Sequence, residues 1–144
     1  MNKILVLNGP NLNLLGEREP DLYGNHSLED IQKFTEDHLK KFGFDKVKLD
    51  WYQSNSESEL IEKIQREKEN FDAYVINPAA YTHTSVAILD ALKACKKPVV
   101  EVHLSNTNAR EDFRKNKITT LASQHVIEGA GHRVYLLGIL SLLI

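Results

Sequence analysis

Short apolar segments alternate with amphipathic ones along this chain of 144 residues, and this alternation constrains the fold more than any other feature. The apolar segments have the length of strands and lie at about 3–7, 47–53, 73–76 and 99–103, with a weaker one near 126–127. The segments between them repeat apolar side chains every three or four residues, which is the period of a helix. Strands that alternate with helices predict an α/β fold, a parallel sheet with helices on both faces.

Capping residues indicate where the helices begin. Ser27 with Asp30 three residues later is a weak variant of the capping box, and Ser56 with Glu59 is a full one. Helices are therefore expected at about 27–43, 56–69, 84–95 and 129–144, with a short helical turn near 109–113 before the last strand.

The polar loops of the chain fall where such a sheet binds ligands. A doubly wound five-stranded sheet of order 2-1-3-4-5 has its switch point between strands one and three, and ligands bind there, outside the carboxyl ends of the strands. The loops after strands one, three and four then meet at one crevice, and these are the polar loops here, at 8–23, 77–84 and 103–108. The strand pattern depends on apolar residues alone, so the position of the polar loops is independent support for the crevice.

Composition limits the class of protein. A chain of this length, 42% apolar and 26% charged, is expected to form a single globular domain over residues 1–144. A net charge of −2 gives no electrostatic reason to expect nucleic acid or an anionic membrane. Cys95 is the only cysteine, which excludes an intrachain disulfide and a Cys-rich metal cluster. The first strand is too short for a signal peptide, and the apolar segment 134–144 covers about half a membrane span, so a cytoplasmic protein is expected.

The loop after the first strand is unusually long and contains a candidate base. Such loops in small domains are commonly binding loops or lids, and Gly16 and Gly24 flank its charged part, so a lid is expected at about 16–25. A tyrosine has a solution pKa of about 10, so a tyrosinate base at neutral pH needs a nearby cation in a site that excludes water. Arg18 could supply that cation to Tyr23, although simple packing of Tyr23 within the loop is the alternative.

Two histidines lie at the predicted crevice. His103 ends strand four, and Glu101 points to the same face two residues earlier, where it could fix the tautomer of the imidazole. His83 begins the helix after strand three. Each histidine also has a purely structural interpretation, and two histidines without a Cys or carboxylate motif favour no metal site. Backbone N–H groups at Leu104 and Ser105 could hold an anion.

Three segments together resemble the signature motifs of the type II 3-dehydroquinate dehydratases. They read NGPNLNLLGEREPDLYG at 8–24, NPAAYTHTS at 77–85 and EVHLSN at 101–106. The match continues in the same order and spacing through Arg114. The resemblance implies a flavodoxin-like domain and a dodecamer of four trimers. It also implies dehydration of 3-dehydroquinate to 3-dehydroshikimate without a cofactor.

The resemblance also implies roles for individual residues. Tyr23 removes a proton from C2, and Arg18 favours its tyrosinate form. Asn11 helps to hold the water that stabilises the enolate, and His103, positioned by Glu101, protonates the departing C1 hydroxyl. The residues implied to bind the substrate are Asn77, Leu104 and Ser105 at its carboxylate, His83 and Arg114 at its ring hydroxyls, and Asp90 from a neighbouring subunit.

The C-terminal third departs from the family pattern. Lys117 stands where the family usually has Ser, and Val134 stands where it usually has Gly before the Tyr of the last helix. These differences are expected to affect local packing near strand five, the assembly and substrate affinity. The segment from Val134 to Ile144 is apolar on every side of a short helix, which favours a homo-oligomer.

Two other classes of protein are the alternatives for this sequence pattern. A flavodoxin-like protein that binds FMN or phosphate would use the same crevice, but the loop after strand one lacks a Ser/Thr-rich phosphate cradle. A phosphorylatable receiver needs acidic residues where this chain has Asn8 and Asn77. The Gly129-x-Gly131 segment is only a fragment of a dinucleotide-binding motif. Biosynthetic and catabolic roles would use the same residues.

Overall fold

Strands and helices alternate in the computed structural model as the sequence predicts. The structure describes residues 1–17 and 19–144, so the interpretation of Arg18 lies outside the described residues. The strands are β1 (Lys3–Asn8), β2 (Lys48–Gln53), β3 (Ala73–Asn77), β4 (Val99–His103) and β5 (His125–Glu128). The helices are α1 (Pro20–Tyr23), α2 (Leu28–Lys41), α3 (Glu57–Glu67), α4 (Val86–Cys95) and α5 (Arg133–Leu143). Short 3₁₀ turns lie at Leu12–Leu14, Ala79–His83, Thr107–Ala109, Asp112–Lys115 and Ile118–Ala122.

The five strands form one parallel sheet in the order β2-β1-β3-β4-β5, which confirms the predicted topology. Val6 of β1 is in register with Trp51 of β2 on one side and with Val75 of β3 on the other. The switch point therefore lies between β1 and β3. Both strands are buried on both faces, which is why they read as nearly continuous apolar segments.

Two apolar layers hold the sheet between the helices. Because successive side chains of a strand point to opposite faces, Ile4 and Val6 pack with α2 and α5, while Leu5 and Leu7 pack with α3 and α4. Burial of each such side chain stabilises the fold by about 1.5–3 kcal/mol relative to an exposed one. Gly138 allows α5 to lie close to the sheet, since a Cβ there would come within 2.9 Å of Val102 Cγ1.

The last helix is only partly covered in a single chain. Val134 and Tyr135 are fully buried, whereas Leu137 is 42% exposed and Ile144 is 91% exposed. Val134 thus fits into the core of this chain. Over the described residues, the structure shows no helix that is both long and apolar enough to cross a membrane.

The two predicted capping boxes differ. The box at Ser27 is complete, since its hydroxyl accepts from the Asp30 N–H and the Asp30 carboxylate accepts from the Ser27 N–H. At Ser56 only half of the box forms, so the prediction of a full box was wrong. The Ser56 hydroxyl accepts from the Glu59 N–H, but the Glu59 carboxylate binds the hydroxyl of Ser54. That same hydroxyl accepts from the Ser56 N–H at 2.9 Å, so Ser54 takes the place of the Glu59 carboxylate.

Candidate active site

The loops after β1, β3 and β4 meet at the carboxyl ends of the strands and enclose a cavity, as the strand order predicts. The lining residues come from all three loops: Pro10, Asn11, Leu12, Tyr23, Asn77, Ala79, Ala80, His83, His103, Leu104, Ser105, Thr107, Arg110 and Arg114. Most of the candidate residues from the sequence are therefore brought together. Glu101 lies behind the cavity wall, and Asp90 is an exposed residue of α4 that does not line the cavity.

Glu101 is fully buried at the centre of a hydrogen-bonded cluster. Its Oε1 accepts from the Thr82 hydroxyl at 2.6 Å, and its Oε2 accepts from the Thr119 hydroxyl at 2.7 Å. The same Oε1 lies 2.8 Å from Nε2 of His103. A buried carboxylate is costly unless its oxygens are hydrogen-bonded, and these three partners meet that requirement.

This cluster fixes the imidazole of His103. An ionised carboxylate only accepts hydrogen bonds, so Nε2 of His103 carries a proton and donates it to Glu101. His103 is 6% exposed and lines the cavity, so its ring is held against a buried anion at the cavity wall. Glu101 and His103 are thus in contact, as the two-residue period of a strand predicts.

Tyr23 has a partner that the sequence did not single out. Arg110 donates from Nη1 to the Tyr23 hydroxyl at 2.9 Å, and its guanidinium carbon lies 5.4 Å from the centre of the tyrosine ring. Nη1 also lies 3.5 Å from the Ser105 hydroxyl. The available signal was a basic residue just beyond the polar loop 103–108. The 87 residues that separate Arg110 from Tyr23 hid the pairing.

His83 is held at the rim of the cavity by a backbone carbonyl. Its Nδ1 lies 2.8 Å from the Asn116 oxygen, so Nδ1 carries the proton and Nε2 of the neutral ring is an acceptor. Partial burial lowers the pKa of His83, and the positive charges of Arg114 and Lys117 act in the same direction. The neutral imidazole is therefore favoured near neutral pH, and it suits a hydroxyl donor on a ligand.

Three further candidates have defined contacts. Asn77 is buried, with Nδ2 donating to the Tyr135 hydroxyl at 3.0 Å and Oδ1 accepting from the Ala79 N–H at 3.1 Å. Asn11 has a left-handed backbone with φ of 68°, a conformation that asparagine tolerates well, and its N–H donates to Asn55 Oδ1 at 3.0 Å. Arg114 donates from Nε to the Glu111 carboxylate at 2.5 Å.

The departure at Lys117 is matched by an acidic partner. Lys117 Nζ lies 3.0 Å from Glu128 Oε2 and 2.6 Å from the Thr107 hydroxyl, and the two charged side chains are only 12% and 16% exposed. Thr107 lines the cavity, so the pair supports the loop that carries Arg110. Lys117 thus packs near β5 in a largely buried ion pair with Glu128.

Metal ligation has no support in residues 1–17 and 19–144, where no group of three or more His, Cys, Asp or Glu side chains is placed to hold an ion. The polar side chains that the cavity presents are acid–base and hydrogen-bonding groups. A doubly wound parallel sheet with such a cavity at its switch point defines the class, an α/β protein with a polar cavity at the place where sheets of this kind bind ligands.

Comparison with known proteins identifies the family. The sequence model described as dehydroquinase class II matches residues 2–143. The 3-dehydroquinate dehydratase of Clostridium botulinum is 52% identical over 139 residues, which are 96% of this chain and 92% of that protein. The enzyme of the same name from Phenylobacterium zucineum is 52% identical over 136 residues, or 94% of this chain and 92% of that protein.

Solved structures agree. The crystal structure of type II dehydroquinase from Butyrivibrio crossotus has a TM-score of 0.93 and 42% identity, and the match covers 99% of this chain and 98% of that one. The type II dehydroquinase from Propionibacterium acnes has a TM-score of 0.89 and 37% identity, with coverage of 99% and 96%. The chain belongs to the class II dehydroquinase family and is a lyase of the hydro-lyase type.

Proposed function

We propose that this protein converts 3-dehydroquinate to 3-dehydroshikimate by anti elimination of water through an enolate. The observation that carries the proposal is one cavity that presents both a Tyr23–Arg110 pair and a His103–Glu101 pair. Relatives that share about half of this sequence over nearly its whole length are named 3-dehydroquinate dehydratase.

Tyr23 acts as the base in this proposal. A proton beside a ketone is only weakly acidic, so its removal needs a strong and well-placed base. Arg110 donates to the tyrosine oxygen at 2.9 Å and stabilises the negative charge that the base carries. Arg18, by resemblance, supplies a second positive charge in the same loop.

His103 acts as the acid. Loss of the C1 hydroxyl requires a proton donor, and Glu101 beside the ring stabilises the imidazolium form that delivers it. The hydroxyls of Thr82 and Thr119 hold that carboxylate in place. One base and one acid complete the elimination, because the proton leaves C2 and the hydroxyl leaves C1 as water.

The remaining candidates bind the substrate and stabilise the enolate. Asn11 holds the water that stabilises the enolate oxygen, and Asn77, Leu104 and Ser105 bind the substrate carboxylate. His83 and Arg114 bind ring hydroxyls. The positive charges of Arg110 and Arg114 complement an anionic substrate.

The loop at about 16–25 acts as a lid on a single catalytic domain that spans residues 1–144. Gly16 and Gly24 have φ of 92° and 83°, a left-handed conformation that glycine adopts without strain, and they flank the short helix that ends in Tyr23. Closing such a lid excludes water and strengthens electrostatic interactions in the site.

The assembly is proposed to be a dodecamer of four trimers, with Asp90 reaching a neighbouring site. Val86, Phe113 and Leu121 are large apolar side chains with exposed fractions of 57%, 62% and 71%. Burial of these side chains in a subunit interface would stabilise such an assembly. Light scattering of active protein at micromolar concentration should give the mass of twelve chains. A stable trimer would contradict only the higher assembly, and a single-chain mass would contradict both.

An absorbance assay for the conjugated enone product tests the reaction. Purified protein with 3-dehydroquinate should produce the enone, and substrate labelled with deuterium on either face of C2 should lose only the hydrogen anti to the hydroxyl. Loss from the syn face would overturn the stereochemistry, and no enone would overturn the function.

Borohydride added during turnover should leave no covalent adduct, because no lysine is among the residues that line the cavity in the described part of the chain.

A further inference from the structure

Tyr135 on α5 lies directly behind the cavity and joins the carboxyl ends of the neighbouring strands β1 and β3. Its hydroxyl donates to Asn8 Oδ1 at 2.6 Å and accepts from Asn77 Nδ2 at 3.0 Å. Asn8 ends β1 and Asn77 ends β3, and the two residues are partners in the sheet register. Tyr135 and Asn8 are fully buried, and Asn77 is 3% exposed.

The donor and the acceptor of each hydrogen bond in this network can be assigned. Asn8 donates from Nδ2 to the Tyr52 carbonyl at 3.3 Å, which turns its Oδ1 toward Tyr135. The tyrosine hydroxyl has a single proton and gives it to Asn8, so only its lone pairs are left for Asn77. Burial raises the pKa of Tyr135 well above its usual value, so the hydroxyl keeps that proton at all ordinary pH values.

The orientation of the Asn77 amide follows from this network. Its Nδ2 must face Tyr135, and its Oδ1 accepts from the N–H of Ala79, a residue with φ of 51°. Among the contacts of the described residues, the second Nδ2–H is then the group that Asn77 can offer to a molecule in the cavity. A flipped amide would place an oxygen against the tyrosine oxygen, and it would present an acceptor to the substrate.

We propose that Tyr135 is a positioning residue that sets the polarity of the Asn77 amide, so that a donor faces the substrate carboxylate. The inference rests on the proposed function, in which Asn77 binds that carboxylate. It gives α5 a role in substrate binding. The close approach of this helix at Gly138 and the packing of the Tyr135 ring on Trp51, 5.3 Å between ring centres, bring the hydroxyl to the switch point.

The chain contains a matched control for the test. Tyr74 is also fully buried, and its hydroxyl donates to the Ile64 carbonyl at 3.2 Å on the other face of the sheet, away from the cavity. Tyr135→Phe and Tyr74→Phe each remove one buried hydroxyl. We expect Tyr135→Phe to raise KM for 3-dehydroquinate about tenfold and to leave kcat within about twofold, because an oriented hydrogen bond to a charged group is lost. Tyr74→Phe should lower the Tm to a similar extent and leave KM unchanged.

A double-mutant cycle separates positioning from a general loss of stability. Asn77→Asp removes the donor itself and should raise KM at least as much as Tyr135→Phe does. The double variant should then be no worse than Asn77→Asp, because both changes act through one group. If Tyr135→Phe does not fold, Asn8→Ala carries the test. It frees the tyrosine proton, which allows the amide of Asn77 to turn, and it should raise KM about threefold.

The outcomes distinguish the two proposals. If the unmodified protein does not turn over 3-dehydroquinate, the proposed function fails. If it does, and Tyr135→Phe leaves KM unchanged, the positioning role is overturned. The same conclusion follows if kcat alone falls, or if the effects of Tyr135→Phe and Asn77→Asp add fully.

Discussion

The two sides of the cavity are built in different ways. On one side, Glu101 and His103 belong to β4, and the carboxylate is fully buried with three hydrogen-bonded partners. On the other side, Tyr23 ends the short helix α1 in the connection after β1, Arg110 lies in the connection after β4, and both are partly exposed. The backbone of an interior strand moves only if the sheet is disrupted, whereas segments outside the sheet undergo local opening at low free energy. The proposed acid is therefore held by the scaffold, and the proposed base is held by segments that can move.

A polar atom on the loop side supports this contrast. Nε of Arg110 is buried without a hydrogen-bond partner among the described residues. Buried donors are nearly always paired, so this one is expected to find an acceptor when a substrate enters or the lid closes. The Glu101 carboxylate, by comparison, is already hydrogen-bonded by side chains of this chain.

Removal of the loop-side hydroxyl should give the largest effect on catalysis. Tyr23→Phe is expected to lower kcat by about 10² or more, because general base catalysis contributes roughly 10²–10⁴. Since the side chain is partly exposed, stability should change by less than about 0.5 kcal/mol. The absorbance assay and circular dichroism measure the two quantities. Near-normal turnover would remove Tyr23 from the mechanism.

Removal of the strand-side imidazole should affect both catalysis and folding. His103→Ala is expected to lower kcat by about 10² with little change in KM, and to destabilise the fold by about 1–3 kcal/mol as Glu101 loses a partner. His125→Ala, at an exposed site on β5, is the control and should be neutral. A rise in KM alone would make His103 a binding residue.

A smaller change tests how much the hydrogen bonds that hold Glu101 contribute to stability and to kcat. Thr119→Val keeps the shape of the side chain but removes the donor to Glu101 Oε2, and it should cost about 1–2 kcal/mol and lower kcat about three- to tenfold. Thr120→Val is the neighbouring control, since the Thr120 hydroxyl binds only the Lys117 carbonyl among the described contacts. Equal kcat losses in the two variants would contradict a specific role for the Glu101 cluster.

Lowering the pH should give the smallest effect, a loss of stability that arises at His132, on the same side of the cavity as Tyr23. Partial burial lowers the pKa of His132, and the charge of His26 lowers it further, with the two ring centres 4.2 Å apart. The unfolded chain takes up a proton near the usual pKa of about 6.5, whereas the folded chain resists it until a lower pH. Unfolding free energy should therefore fall as pH drops from about 7 to 5.

His132→Phe tests this dependence. The change keeps the packing of the ring on Phe34, where the ring centres are 4.6 Å apart, and removes the titrating group. Urea unfolding at several pH values should show a flatter decline for the variant than for the unmodified protein. Identical slopes would assign the acid sensitivity to other groups, such as His83.

Local sequence patterns were sufficient to predict several features of this protein. The strand at 99–103 has the predicted bounds, because a short apolar segment between turn residues has few alternatives. The contact between Glu101 and His103 follows from the period of two along a strand. The meeting of the three polar loops follows from the strand order, which a parallel sheet with short connections strongly limits.

Only the tertiary structure decided which distant side chains complete the site. Thr82 and Thr119 reach Glu101 from 19 and 18 residues away, and Tyr135 reaches Asn77 from 58 residues away. A threonine or tyrosine has no local pattern that indicates its partner, because the hydrogen bond depends on how helices and turns pack on the sheet. The sequence by itself determined the strands, the longer helices, the sheet and the place of the cavity. Packing determined the hydrogen bonds that orient the groups within it.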